Sequence, residues 1–200
     1  FLSRSRIVLI RGLTRLRRRL NGVRFVFSRL LFLGDLDIGG KLKLNVPLRL
    51  EGNGRIIVGS SCCIGYRLAP MTGNGAVSLQ SRKRDSTLHI KEGSTIGNNV
   101  CIIANRSIVV GTGCLIGDGV LIFDSDFHAI SPIERRQSSK EWGIEPVVLG
   151  DNVWIGSRAI ILKGVSIGDN SVVAAGALVS RPVPENVLVA GVPARVIKKI

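Results

Sequence analysis

Aromatic side chains make up only 4% of this 200-residue chain, so rings are not available to fill a core. Glycine is plentiful at 24 residues, which leaves aliphatic side chains for the interior. That profile suits a repetitive β-structure with a narrow inside better than an ordinary sandwich. Acidic residues are also scarce, 14 against 28 Lys and Arg, and the imbalance is local. Residues 1–33 hold nine arginines and no acid, so most of the net +14 belongs to an N-terminal arm. Histidine occurs only at His89 and His128, too few for a three-histidine zinc centre. The four cysteines (Cys62, Cys63, Cys101, Cys114) form no C-x-x-C pair and sit among aliphatic residues. They read as small buried thiols, which a reducing cytosol preserves. No run of 18 apolar residues exists, so no membrane-spanning helix is expected. The chain opens on Phe1 rather than Met, which leaves the true start open.

What is present is a repeat of six. Leu149, Ile155, Ile161, Ile167, Val173 and Val179 are all aliphatic. The residue after each is small in five of six cases: Gly150, Gly156, Gly168, Ala174 and Ser180. Upstream, Ile90, Ile96, Ile102 and Ile108 keep the step, a two-residue shift follows, and Val110, Ile116 and Ile122 resume it. Ile38, Leu44, Leu50 and Ile56 do the same before an equivalent shift to Val58 and Ile64. A period of six is neither helical nor a simple alternation. It predicts a short strand and a tight corner, with three units closing one triangular coil. The aliphatic residue points inward, and the small residue after it sits where a side chain would crowd the backbone.

Two stretches interrupt the repeat. Residues 66–87 read as a loop or an irregular coil. Residues 124–146, DSDFHAISPIERRQSSKEWGIEP, must loop out of a corner, because the repeat resumes in order on both sides. Residues 12–33 read as a helix with Leu13, Leu16, Leu20, Val23, Phe27 and Leu30 along one stripe and arginines beside it. That stripe is expected either to pack over the open end of the prism or to lie on an anionic lipid surface. No nucleic-acid recognition fold accompanies the charge. The chain divides into a basic helical arm (1–35), a parallel β-helix (36–184) with a loop at 124–146, and a C-terminal coil or tail (185–200).

Chemistry is expected in the second interruption, since loops on a rigid scaffold are where functional side chains usually sit. His128 follows Asp124 and Asp126 there. A histidine is suited to take a proton from an attacking hydroxyl near neutral pH. Asp126 is two residues away and in an extended segment would share its face and orient the imidazole. His89, at a lateral strand position, reads as structural or solvated.

The segment from Leu149 to the end, and above all VWIGSRAIILKGVSIGDNSVVAAGALV and AGVPARVIKKI, resembles the galactoside, maltose and polysaccharide O-acetyltransferases of the hexapeptide-repeat acyltransferase family. The repeat resemblance covers roughly residues 36–200. It implies a left-handed parallel β-helix assembled as a homotrimer, with acetyl-CoA as donor, a saccharide hydroxyl as acceptor, and no metal. It implies His128 as general base, Trp154 beside the reacting centre, and the Ser157 backbone N–H facing the thioester carbonyl. Ala175, one coil on, would line the pantetheine arm. Ser180, Arg181, Arg195 and Lys198 would lie near the nucleotide end of CoA, with Lys199 as a possible addition. Asn99 or Asn105 would contact the acceptor, and Asp124 is a further candidate for that contact. Transfer would be direct, so the cysteines need no role. A cytoplasmic location, peripheral to the inner face of the membrane through residues 1–33, is expected.

Other enzymes on this scaffold fit less well. γ-type carbonic anhydrases need three histidines. Sugar-nucleotide pyrophosphorylases need a large nucleotide domain, and serine acetyltransferases a long helical one; residues 1–35 are too short for either. An amino-sugar N-acetyltransferase is the runner-up, and a non-enzymatic solenoid is the remaining alternative.

Overall fold

The computed structural model describes residues 4–66, 74–136 and 143–200. A helix, Arg4–Leu31, precedes short strands that wind into three sheets. The first sheet stacks Asp35–Ile38, Arg55–Val58, Thr87–Ile90, Ser107–Val110, Val147–Leu149 and Ser166–Ile167, all parallel. The second runs from Lys43–Leu44 through Cys63–Ile64, Thr95–Ile96, Leu115–Ile116, Trp154–Ile155 and Val172–Val173 to Val187–Gly191. The third stacks Leu48–Gly52, Val77–Ser81, Cys101–Ala104, Leu121–Phe123, Ile160–Ile161 and Leu178–Val179. The chain visits the three sheets in turn, one strand in each, so each circuit is one coil of a three-sided prism.

The repeat makes the core. Ile56, Ile64, Leu79, Ile90, Ile96, Ile102, Leu149, Ile155 and Ile161 are essentially inaccessible and form one continuous aliphatic column. Burial of each side chain contributes about 1.5–3 kcal/mol. The two-residue shifts have a simple cause. The first-sheet strand there is four residues long, against two in the second sheet, so Ile108 and Val110 both point inward, as do Ile56 and Val58.

Another column runs up the corner between the first and second sheets, where Cys62, Ser94, Cys114, Val153 and Ser171 stack in buried positions. Cys62 and Cys114 are buried as expected, whereas Cys63 and Cys101 are half-buried; the two buried thiols also donate hydrogen bonds. Cys62 reaches the Lys91 carbonyl at 3.2 Å and Cys114 that of Gly150 at 3.1 Å. Ser94 and Ser171 do the same to Gly111 and Pro184, each at 2.7 Å. Burial pushes the Cys62 and Cys114 thiols up from the usual range. Beside this column Asn152, Asn170 and Asn186 hold left-handed backbone and bond one to the next at 3.0 Å.

Two segments are more ordered than a loop or a tail, and the helix turns a different side inward than expected. Val77–Ser81 inside the first interruption is a full third-sheet strand, hidden because only two of its residues are aliphatic. Residues 185–200, expected as a coil or tail, are ordered into two strands. Val187–Gly191 pairs parallel with Val172–Val173, and Ala194–Lys199 folds back antiparallel on it. The helix does cover the open end of the prism. Its Ser28 hydroxyl accepts from the Leu50 amide at 2.8 Å, and Phe25 and Phe32 join the core. However, the buried side carries Asn21, Phe25 and Ser28, whereas Leu16, Leu20, Val23, Phe27 and Leu30 of the expected stripe are exposed. The Leu13 side chain lies outside the described residues.

Candidate active site

The 124–146 excursion leaves the prism after Leu121–Phe123 and returns at Val147–Leu149, so it projects from the corner between the third and first sheets. Asp124 builds that corner. It is 0% exposed, and its carboxylate accepts from the backbone N–H groups of Asn105 (2.7 Å), Arg106 (2.7 Å) and Ser107 (2.9 Å). A carboxylate satisfied by three amides is a scaffold group. The structure places Asp124 beneath the loop, with its carboxylate taken up by backbone amides. Its carbonyl also accepts from the Glu145 amide at 2.9 Å, which ties the two ends of the excursion together.

Asp126 does not orient His128. Its carboxylate is 3.2 Å from the Lys163 ammonium of the following coil, which also reaches Glu145 at 3.2 Å. The hydrogen bond from Lys163 to Asp126 raises the ammonium above its usual range. The expectation failed because Phe127 takes left-handed backbone, with φ of 61°. The segment is not extended there, and residues two apart do not share a face. The Phe127 ring packs edge-on against Phe123, with 5.3 Å between centroids, and the Arg82 guanidinium lies 5.0 Å from its centre. Lys163, Arg82 and Phe123 thus hold the loop, and nothing local in the sequence pointed to them. His128 itself is exposed, and no hydrogen bond reaches its ring among the described residues.

Trp154 and Leu115 are register neighbours on the outer face of the second sheet, 54% and 52% exposed. Ser157 lies just beyond, at the corner between the second and third sheets. Its carbonyl accepts from Gly176 at 2.9 Å, so Ala175 stacks beside it as expected. The corner is tight: a Cβ on Gly117 would stand 2.6 Å from the Ser157 nitrogen, and one on Gly156 2.5 Å from that of Ala175. Both N–H groups are without a protein partner among the described residues. Further along the prism, Arg181 and Arg195 line one cleft with Pro182, Ala194 and Val196. Ser180 precedes Arg181 at the exposed corner, and Lys198 and Lys199 are exposed on the terminal strand.

The two asparagines part company. Asn105 is buried at the loop corner and donates from Nδ2 to the Ser125 hydroxyl. Asn99 lies at the Ser157 corner in left-handed backbone, a column it shares with Gly119, Arg158 and Gly176. His89 is half-buried on the outside of the first sheet, opposite Ile57 and Val109. Desolvation, then Lys91 and Arg55, lower its pKa.

His128 and the pair Trp154 and Ser157 stand on different edges of one prism.

Comparison with known proteins agrees with this architecture. The hexapeptide repeat of succinyl-transferases matches residues 146–181. The galactoside O-acetyltransferase of Escherichia coli (strain K12) is 37% identical over 115 residues, 58% of this chain and 55% of that enzyme. The galactoside O-acetyltransferase of Lactococcus lactis is 35% identical over 113 residues, 56% of this chain and 53% of that enzyme. The chain spans about half the length of the curated relatives it matches. A crystal structure of a hexapeptide-repeat acetyltransferase from Vibrio cholerae superposes with a TM-score of 0.57, at 26% identity over 95% of this chain and 92% of that one. The prism is the left-handed parallel β-helix of that fold.

Proposed function

We propose that this chain, which carries the hexapeptide repeat and left-handed β-helix of the acyltransferases near the sugar O-acetyltransferases, moves an acetyl group from acetyl-CoA to a saccharide hydroxyl. The observation that carries the reading is an exposed His128 on a loop pinned at both ends by Asp124, Lys163 and Glu145. Pinning fixes where the imidazole stands, while its ring nitrogens stay available to a substrate.

In the proposed reaction His128 takes the proton of the acceptor hydroxyl as its oxygen attacks the thioester carbonyl carbon. The free Ser157 amide of a neighbouring copy donates to the oxyanion as it develops. The carbon–sulfur bond then breaks, CoA leaves as thiolate, and His128 returns the proton to it. No acyl-enzyme forms. Cys62 and Cys114 are buried inside the prism, out of reach of an acyl donor. Trp154 would flank the thioester, and the Ala175 amide would hold the pantetheine arm. Arg181 and Arg195, with Ser180 and Lys198 nearby, supply the cations that CoA phosphates require.

The reading includes a homotrimer. Three prisms side by side would cover the exposed Leu115 and Trp154 and bring each histidine loop to a neighbour's second-sheet edge. It places the reaction in the cytoplasm, on a precursor of an envelope glycan. The test is thiol release from acetyl-CoA with a panel of sugars, amino sugars and oligosaccharides, together with the thermal shift caused by CoA. Hydroxyl-dependent release and a CoA shift are expected. Release only with amino sugars would replace O- by N-acetylation, and neither release nor shift would overturn the reading.

A further inference from the structure

The N-terminal helix presents two different stripes. Asn21, Phe25 and Ser28 face the prism, and Phe32 continues that line into the core. Leu16, Leu20, Val23, Phe27 and Leu30 form the other, at helical spacing, and each is between 52 and 72% exposed. Leu31 and Leu33 extend it at 80 and 82%. Capping the prism therefore leaves an apolar stripe about five residues long uncovered. Single exposed leucines need no explanation, but a contiguous row does.

The charge beside the stripe selects its occupant. Arg19 and Arg24 flank it and are exposed, whereas Arg18 turns to the prism and donates to Asn45 at 3.2 Å; all nine arginines of residues 1–33 lie ahead of the first acid, Asp35. A second copy of the helix would set arginines against arginines. An anionic lipid surface accepts both features at once: leucine and phenylalanine enter the acyl boundary while the guanidinium groups stay among the headgroups. Among the described residues no helix is long and apolar enough to cross a membrane, so this one would lie in the interface plane.

We propose that the outer face of the helix over residues 16–31 is a binding surface for anionic phospholipid, which holds the prism against a membrane while the inner face caps it. The proposal is independent of the acetyl-transfer reading. The experiment is co-sedimentation of the full chain with vesicles of phosphatidylcholine alone and with added phosphatidylglycerol. Binding should depend on phosphatidylglycerol and weaken with salt. The double variant Leu20→Gln/Phe27→Gln alters only exposed positions, so its thermal midpoint should match the parent's while vesicle binding falls about tenfold or more. Arg19→Gln/Arg24→Gln should weaken binding to phosphatidylglycerol vesicles in the same direction. Equal binding to neutral vesicles, or none to either, would overturn the proposal. So would a change in oligomeric state of L20Q/F27Q without lipid, which would mean that another copy covers the stripe.

Discussion

Lys163 reaches from the coil after the loop to Asp126, 3.2 Å away, two residues before His128. The same ammonium holds Glu145 near the point where the loop rejoins the prism. One side chain thereby fixes the departing and returning arms of the segment that carries the proposed base.

Replacing it should affect turnover more than donor binding. Lys163→Met is expected to lower kcat about tenfold to a hundredfold, the usual effect of misplacing a reacting group by about an ångström. KM for acetyl-CoA should stay near the parent value, and Lys163→Arg should recover part of the loss. Steady-state kinetics on the three chains check this; a change confined to KM would count against the positioning role.

Asp124 should matter for stability. Asp124→Ala would leave three amides without an acceptor, one buried and two part-buried, at a cost of about 2–3 kcal/mol. Urea unfolding of the variant against the parent measures it. A loss under about 1 kcal/mol would mean that water replaces the carboxylate.

The edges on which the site residues stand lead to a mixing experiment. His128→Ala lacks the base, and Ala175→Trp fills the small-residue row, so each alone should be inactive. Chains refolded or expressed together should regain on the order of a quarter of parent activity, as random pairing in a cyclic assembly allows. No recovery would place the loop and the row of the same chain in one site.

His89 supplies a pH signature outside the reaction. Its pKa lies below the usual 6.5, first through desolvation and then through Lys91 and Arg55. In the unfolded chain it binds a proton more readily, so the folded state loses stability as pH falls below 6.5 toward the folded pKa. NMR titration should put its midpoint below 6.5, and His89→Gln should reduce the acid sensitivity in that window. A midpoint above 6.5 would contradict the assignment.

Much of the fold was legible because a six-residue period can close in few ways. Leu149, Ile155 and Ile161 state the inward column outright. The helix was legible in existence but not in facing: an apolar stripe does not say what covers it, and here Asn21 and Ser28 turned inward, Ser28 to meet the Leu50 amide at the end of the prism. His128 was legible from the loop that carries it. Its surroundings were not, because one left-handed residue, Phe127, undoes the alternation on which the Asp126 pairing rested, and because Lys163 lies far along the chain. The cysteine column was half legible: burial follows from residue type, but the carbonyl each thiol meets belongs to another coil.

The most direct test is the rate of acetyl transfer by His128→Ala, measured beside its CoA-dependent thermal shift. His128 is exposed and bonded to no described residue, so the variant should fold and bind CoA like the parent while kcat falls about a hundredfold to ten-thousandfold. Transfer at the parent rate by a folded, CoA-binding His128→Ala chain would contradict the account.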